Sequence, residues 1–328
     1  MIRKIEISHR TIIFTVLFLI GLWLLFEIRQ IIVALFVSLI FMSALNPVVD
    51  RFERWHLPRW LAILLMYFVI FGAIGVMLAV IISPLVEQTA SFINKTALYF
   101  KQFGGFGIDP NIIASQFANL SALPANILKL TISFFSNLIA LLALAVITFY
   151  LLLERKNLNR YFLVLFGEGK EKEAEAFVNK IEKRLGSWVR GELALMTIVG
   201  LMSFVGLRLL GIEFALPLAI LAGLLEIIPN IGPVVSAIPA VLTGLAISPL
   251  MGVAIVALYF LIQQIENSLI VPRVMQKATG VKPLVTILAL AIGFKLAGVT
   301  GAVLAVPTVL VIQVAASEIL SSKRFQNL

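Results

Sequence analysis

Glu226-Ile227-Ile228-Pro229-Asn230-Ile231-Gly232-Pro233 sets a carboxylate, an amide and two prolines inside a long apolar run. Each proline removes a backbone donor and disfavours helix in the residue before it, so the chain must turn or unwind between Ile228 and Val234. The flanking apolar arms are short: Phe214 to Ile228 is 15 residues and Val234 to Ile247 is 14. At about 1.5 Å per residue either arm reaches about 22 Å, against a hydrocarbon core of about 30 Å. Broken backbone at membrane depth is tolerated only inside protein or beside water, because unpaired peptide groups are costly in lipid. The run therefore predicts a re-entrant helical hairpin sheltered by protein; a structural kink between two full spans is the competing reading. On the second arm Gly232, Ser236, Ala240 and Gly244 recur at every fourth position and form one smooth face for close helix packing.

Composition places this hairpin in an integral membrane protein. Of 328 residues 61% are hydrophobic and 13% charged, and the mean hydropathy is +1.06. That is more apolar surface than a soluble domain of this size buries. There is no cysteine, which excludes disulfides and thiolate metal sites. His9 and His56 have no partners at metal-ligand spacing, so no metal or other cofactor is expected. A P-loop, a His-Glu-x-x-His and a Gly-x-Ser-x-Gly are all absent, which argues against an ATP-driven pump or a common hydrolase, and no enzyme is expected. The net charge of +9 is read as the positive-inside bias of membrane loops, not as a nucleic-acid surface.

Charge asymmetry sets the topology. Arg3, Lys4 and Arg10 precede the first apolar segment, without a signal-peptide cleavage pattern. Segments Thr11 to Phe26 and Ile31 to Leu45 form a first hairpin that returns to Asp50, Arg51, Glu53, Arg54 and Arg59. Leu61 to Ser83 is a complete span, followed by amphipathic helical spacing from Leu85 to Phe103, a Gly104-Gly105 stop and a helix start at Asp109-Pro110. Thr131 to Leu153 crosses back to a charged helix, Lys170 to Val189, and Leu193 to Leu210 crosses outward again. The organisation is thus membrane segments over 1–83, an extracytoplasmic amphipathic region over 84–130, a span over 131–153, a cytoplasmic charged helix region over 154–192 and a C-terminal transport region over 193–328. Both termini are expected in the cytoplasm, and most of the 26 Lys and Arg fall on that side. The fold class is all-α and polytopic, with amphipathic helices outside the bilayer and two broken, re-entrant hairpins. The second hairpin pairs Leu284 to Leu296 with Ala302 to Ala316 around Gly298 and Gly301, and carries its own small-residue row at Ala289, Gly293 and Ala297.

Ionisable groups at membrane depth point to a pathway or coupling site. Glu226 is the first candidate, since burial disfavours the charged form of a carboxyl and makes it a switchable charge. A structural carboxylate held by a backbone donor or by Arg208 is the alternative. Gln263, Glu266 and Asn267 stand at i, i+3 and i+4, hence on one helical face, as cavity lining or as an interfacial cap. Lys295 either compensates Glu226 or Glu266 or snorkels to the surface.

The Glu226 to Pro233 run, Pro239, the Gln263-Gln264-Ile265-Glu266-Asn267 stretch and Pro272-Arg273-Val274-Met275 resemble the autoinducer-2 exporter family, as do Pro283, Gly293, Gly298, Gly301 and Pro307. These motifs cover the last third of the chain; the rest is similar only in hydropathy plan. The resemblance implies a multi-pass protein of the prokaryotic cytoplasmic membrane that exports a small polar solute, such as an autoinducer-type signal in quorum sensing, or exchanges sodium for protons. It also implies a homo-oligomer, a pentamer. Glu226, Pro229, Asn230, Gly232, Pro233, Gln263, Glu266, Asn267, Lys295, Gly298 and Gly301 are then the transport and coupling candidates, with Ser236, Ala240, Gly244, Ala289 and Gly293 as packing positions. H+ or Na+, the solute and membrane lipid are the expected partners, and nucleic acid is not. A passive pore and a membrane scaffold remain the readings of other classes.

Overall fold

The computed structural model describes residues 9–102, 138–157, 161, 171–229, 231–278 and 280–321. Among them the regular elements are helices: α1 (His9–Glu27), α2 (Arg29–Arg54), α3 (Arg59–Gln102), α4 (Leu138–Glu154), α5 (Glu171–Leu209), α6 (Ala215–Leu225), α7 (Ile231–Ile247), α8 (Pro249–Ile265), α9 (Val271–Ala278) and α10 (Pro283–Ser321), with a 3-10 turn at Arg155–Asn157 and a π turn at Glu266–Ile270. By length and composition six helical stretches can cross a membrane: Arg10–Glu27, Arg29–Arg54, Arg59–Ile81, Lys172–Leu209, Pro249–Met275 and Leu284–Leu320. The chain is an all-helical, multi-pass membrane protein.

Two helices are longer than the sequence pattern predicts. The span expected to stop at Ser83 continues to Gln102 as one 44-residue helix. No glycine separates Ser83 from Gln102, so the amphipathic pattern extends the span and does not start anew. The Gly104-Gly105 stop and the Asp109-Pro110 start lie outside the described residues. Likewise the charged helix and the outward span join in α5, 39 residues without a break at 192–193. There the polar and apolar halves share one buried stripe, Leu185, Trp188, Glu192, Leu195, Val199, Ser203 and Leu207, at three- and four-residue spacing.

That stripe organises the packing. Toward its polar half, Leu185 and Trp188 meet Ile40 of α2 and Val306 and Leu310 of α10. Gly186 lets α2 come close, since a Cβ there would fall on the Ser43 carbonyl. Toward its apolar half, Leu207 joins Leu218 and Ala222 of α6, Ala240 of α7, Ile255 and Tyr259 of α8, and Ile81 of α3. Gly211, at φ 74, ends α5 in a Schellman turn, with its N–H on the Arg208 carbonyl at 3.0 Å and the Ile212 N–H on the Leu207 carbonyl at 2.9 Å. α8 starts on Ser248, whose hydroxyl accepts from the Met251 N–H at 3.1 Å, with Pro249 at the first helical position.

A third cluster, Met42, Val49, Ala62, Ile63 and Leu152, ties α2, α3 and α4. One guanidinium caps it: Arg59 donates to the Leu152 carbonyl at 2.8 Å, to Asp50 at 2.7 Å, to Glu53 at 3.0 Å and to Asn46 at 2.6 Å. Lys156 completes the group with 2.6 Å to Glu53, and Arg155 reaches α5 through Glu182 at 2.6 Å. Asp50, Glu53 and Arg59, three of the charges that mark this loop in the sequence, thus join α2 to α3 and α4, and Arg155 extends the clamp to α5.

Candidate functional site

α6 ends where the prolines begin. The turn that follows is closed by backbone bonds: Glu226 N–H to the Ala222 carbonyl at 3.2 Å, Ile228 N–H to Leu225 at 3.1 Å, and Gly232 N–H to Ile228 at 2.9 Å. Gly232 is required sterically, because a Cβ there would overlap the Leu225 carbonyl. These amides satisfy one another, so the break offers fewer free donors than a transporter-type helix end suggests. What it leaves unsatisfied is a side chain. Glu226 is 1% exposed and neither carboxyl oxygen has a hydrogen-bond partner. Arg208, a partner the sequence allows, is exposed and forms no ion pair with it.

The group facing Glu226 is Glu266, brought from the π turn after α8. Glu266 is 2% exposed and accepts from Gln263 Nε2 at 3.2 Å. The π turn changes the helical phase of the residues beyond it. Asn267, expected to share this face, is exposed instead. Gln263 and Glu266 are thus brought to Glu226, and Asn267 is not.

A third acid was missed by the sequence reading. Glu192 of α5 is 3% exposed, with both oxygens unpartnered, and it lies within electrostatic reach of Glu226 and Glu266. The signal was present: Glu192 occupies a core position between Trp188 and Leu195 on the buried stripe. Grouping 154–192 as a cytoplasmic charged helix region concealed it. Close backbone contact aligns the elements, since a Cβ on Gly223 would lie 2.6 Å from the Met196 carbonyl and 3.3 Å from Gly200 Cα. Among the described residues no three acids or histidines are arranged to hold a metal ion.

The second hairpin reaches the same region through its arms. α10 reverses at Ala297 (φ −142, ψ 23) and Gly298 (φ 58, ψ −139). Gly293 and Gly301 then lie backbone to backbone, where a Cβ on either would overlap the other's carbonyl. Ile228 of the first break packs on Leu290, Ala302 and Ala305, beside half-buried Ala289. The tip faces away: a Cβ on Gly298 would meet nothing within 4 Å, and Lys295 is exposed and unpaired with either carboxyl. Along α7 the packing row Gly232, Ser236, Ala240 and Gly244 is buried, as is Pro233. Pro229 is half-buried and Asn230 lies outside the described residues.

Known proteins are similar in sequence along most of this chain. The chain is 26% identical to YrrI of Bacillus subtilis over 308 residues, covering 89% of this chain and 87% of that one. It is 28% identical to the AI-2 transport protein TqsA of Escherichia coli over 295 residues, 87% and 83% of the two chains. With YhhT of Escherichia coli it shares 26% over 294 residues, 85% and 82%. Residues 12–321, which include both breaks and all three buried acids, match the family described as AI-2E family transporter. The chain belongs to the AI-2E transporter family.

Proposed function

We propose that this protein is a secondary transporter that exports a small polar solute across the prokaryotic cytoplasmic membrane, with both termini inside, coupled to a proton or sodium gradient. The observation that carries the reading is Glu226, fully buried and without a partner, at a helix break where two hairpins meet. A carboxyl in that position is a charge that can be neutralised in one passage and released in the other. The two breaks then act as re-entrant elements whose relative movement opens the site to either side in turn. Because the relative TqsA is named an AI-2 transport protein, an autoinducer-type solute is the first cargo to test. The homo-oligomer, a pentamer by family resemblance, belongs to the same proposal; α1 offers surface for it, with apolar side chains exposed all round. In this proposal the region over 84–130 is the extracytoplasmic one.

The facing pair Glu226 and Glu266 supports a second reading, in which sodium is itself the cargo and protons move against it. Reconstituted vesicles separate the two by following solute flux, sodium flux and internal pH under imposed gradients. Glu226→Gln keeps the volume and removes the titration, so it should abolish gradient dependence while the protein still assembles. Ion-coupled flux at the parent rate in that variant would remove Glu226 from the mechanism. Solute flux without gradient dependence in the parent would mark a passive pore.

A further inference from the structure

Glu192 has no place in the coupling scheme built on Glu226, yet it is as deeply buried. Its position follows from the contact of α5 with α6. The two run antiparallel with Met196 and Gly200 against Gly223. One turn beyond Gly223 stands Glu226, and one turn before Met196, on the same stripe, stands Glu192. Three elements thus deliver three acids to one place: Glu192 from α5, Glu226 from the end of α6 and Glu266 from the π turn. Each is at most 3% exposed. The four oxygens of Glu192 and Glu226 have no amide, hydroxyl or cationic donor, and Glu266 faces Glu226 while accepting from the Gln263 amide. The charged groups acting on the set are its own members, Glu266 on Glu192 and both on Glu226. No described Lys, Arg or His forms an ion pair with any of them.

Three carboxylates in one low-dielectric site without a counter-ion cannot all be ionised. The described residues do not shape a metal site around them. When no cation is bound, the positive charge that balances them is carried by protons. Of the three, Glu192 is nearest along the chain to the exposed charges of α5, with Arg190 two residues away and Lys183 and Arg184 beyond. We propose that Glu192, Glu226 and Glu266 form one proton-sharing site, in which Glu192 passes protons between the polar end of α5 and the Glu226–Glu266 pair. In each transfer the O–H bond of the Glu192 acid breaks as one forms on a carboxylate of the pair, and Glu192 then takes a proton from a hydronium ion at that end, which leaves water; no other bond changes. The proposal rests on the reading of Glu226 as the coupling charge and adds the route by which it is loaded.

Infrared spectroscopy on the purified full-length protein, without solute, tests it independently of the flux assay. At neutral pH the parent should show carbonyl absorption of protonated carboxylic acids, and Glu226→Gln should remove part of it. On transfer to deuterated buffer this band shifts as protons exchange. Glu192→Gln should slow that exchange about a hundredfold, the lower end of what a positioned proton donor contributes. Glu192→Asp, which retains an acid, should bring it back toward the parent rate, a recovery that a purely structural role does not produce. A parent without protonated-acid absorption at neutral pH would overturn the proposal without recourse to any variant. A folded Glu192→Gln protein that exchanges at the parent rate would overturn it equally.

Discussion

The reversal in α10 can be measured as a distance. If Pro283 to Ser321 were one straight helix, Leu290 and Ala305 would stand about 22 Å apart along its axis, at about 1.5 Å per residue. In the fold they belong to one buried cluster with Ala302. The turn depends on Gly293 and Gly301, whose added Cβ atoms would lie 2.8 Å and 2.7 Å from the opposing carbonyl carbon. Ordinary contact needs nearly an ångström more, and overpacking of this kind costs about 1 to 3 kcal/mol. Leu290→Cys with Ala305→Cys introduces a unique thiol pair, because the natural chain has no cysteine. A short bifunctional thiol reagent should link the pair within one chain, seen by mass spectrometry as a single cross-linked peptide. Adding Gly301→Ala should reduce the yield, and Gly293→Ala combined with Gly301→Ala should cost less than the sum of the two changes, since both are relieved by the same separation of the arms. Absence of the intrachain link, with both thiols reactive toward a small probe, would show a straight helix and refute the hairpin.

Ser236→Leu inserts a large side chain where Ser236 is fully buried and its hydroxyl donates to the Pro233 carbonyl at 2.9 Å; thermal unfolding in detergent should show a loss of about 1 to 3 kcal/mol, and parent stability would mean that this face is open. Arg59→Ala removes the common partner of Asp50, Glu53, Asn46 and the Leu152 carbonyl, and should destabilise by about 3 kcal/mol, the low end for a broken buried pair because Asp50 stays partly solvated. Arg59→Lys should rescue little of it, since an ammonium lacks the planar fork that spans these acceptors. Glu175→Cys, at a half-buried position in the polar half of α5, should resist impermeant thiol reagents in intact cells and react after lysis; labelling from outside would reverse the proposed topology.

Much of the fold was legible because apolar run length and proline chemistry are local. Pro229, Gly232 and Pro233 determine their turn without help from distant residues, and Gly298 does the same where φ is positive. Helix continuity was less legible. A change from polar to apolar residues reads as a boundary, yet in α5 it marks only a change of surroundings along one helix. At the site, Glu226 and Glu266 stood out as acids among apolar residues, whereas Glu192 followed a run of exposed charges and was read with them. The exposure of Asn267 was hidden for another reason. Shared spacing places a residue on a face but does not say where the cover ends: Gln263 is half-buried, and Glu266 and Asn267 lie on opposite sides of it, the first buried and the second exposed.

The unbroken course of α5 has a mechanical consequence. A helix of 39 residues is a rod about 58 Å long, and Gly186, seated against the Ser43 carbonyl, is its natural fulcrum. Leu209 lies about 35 Å from that pivot and Glu192 about 9 Å. Tilting the rod by about 10° would carry the far end roughly 6 Å but Glu192 only about 1.6 Å, by the same rise per residue. The surfaces against α6 and α8 can thus sweep through a large arc while the buried acid beside the pivot stays almost at rest.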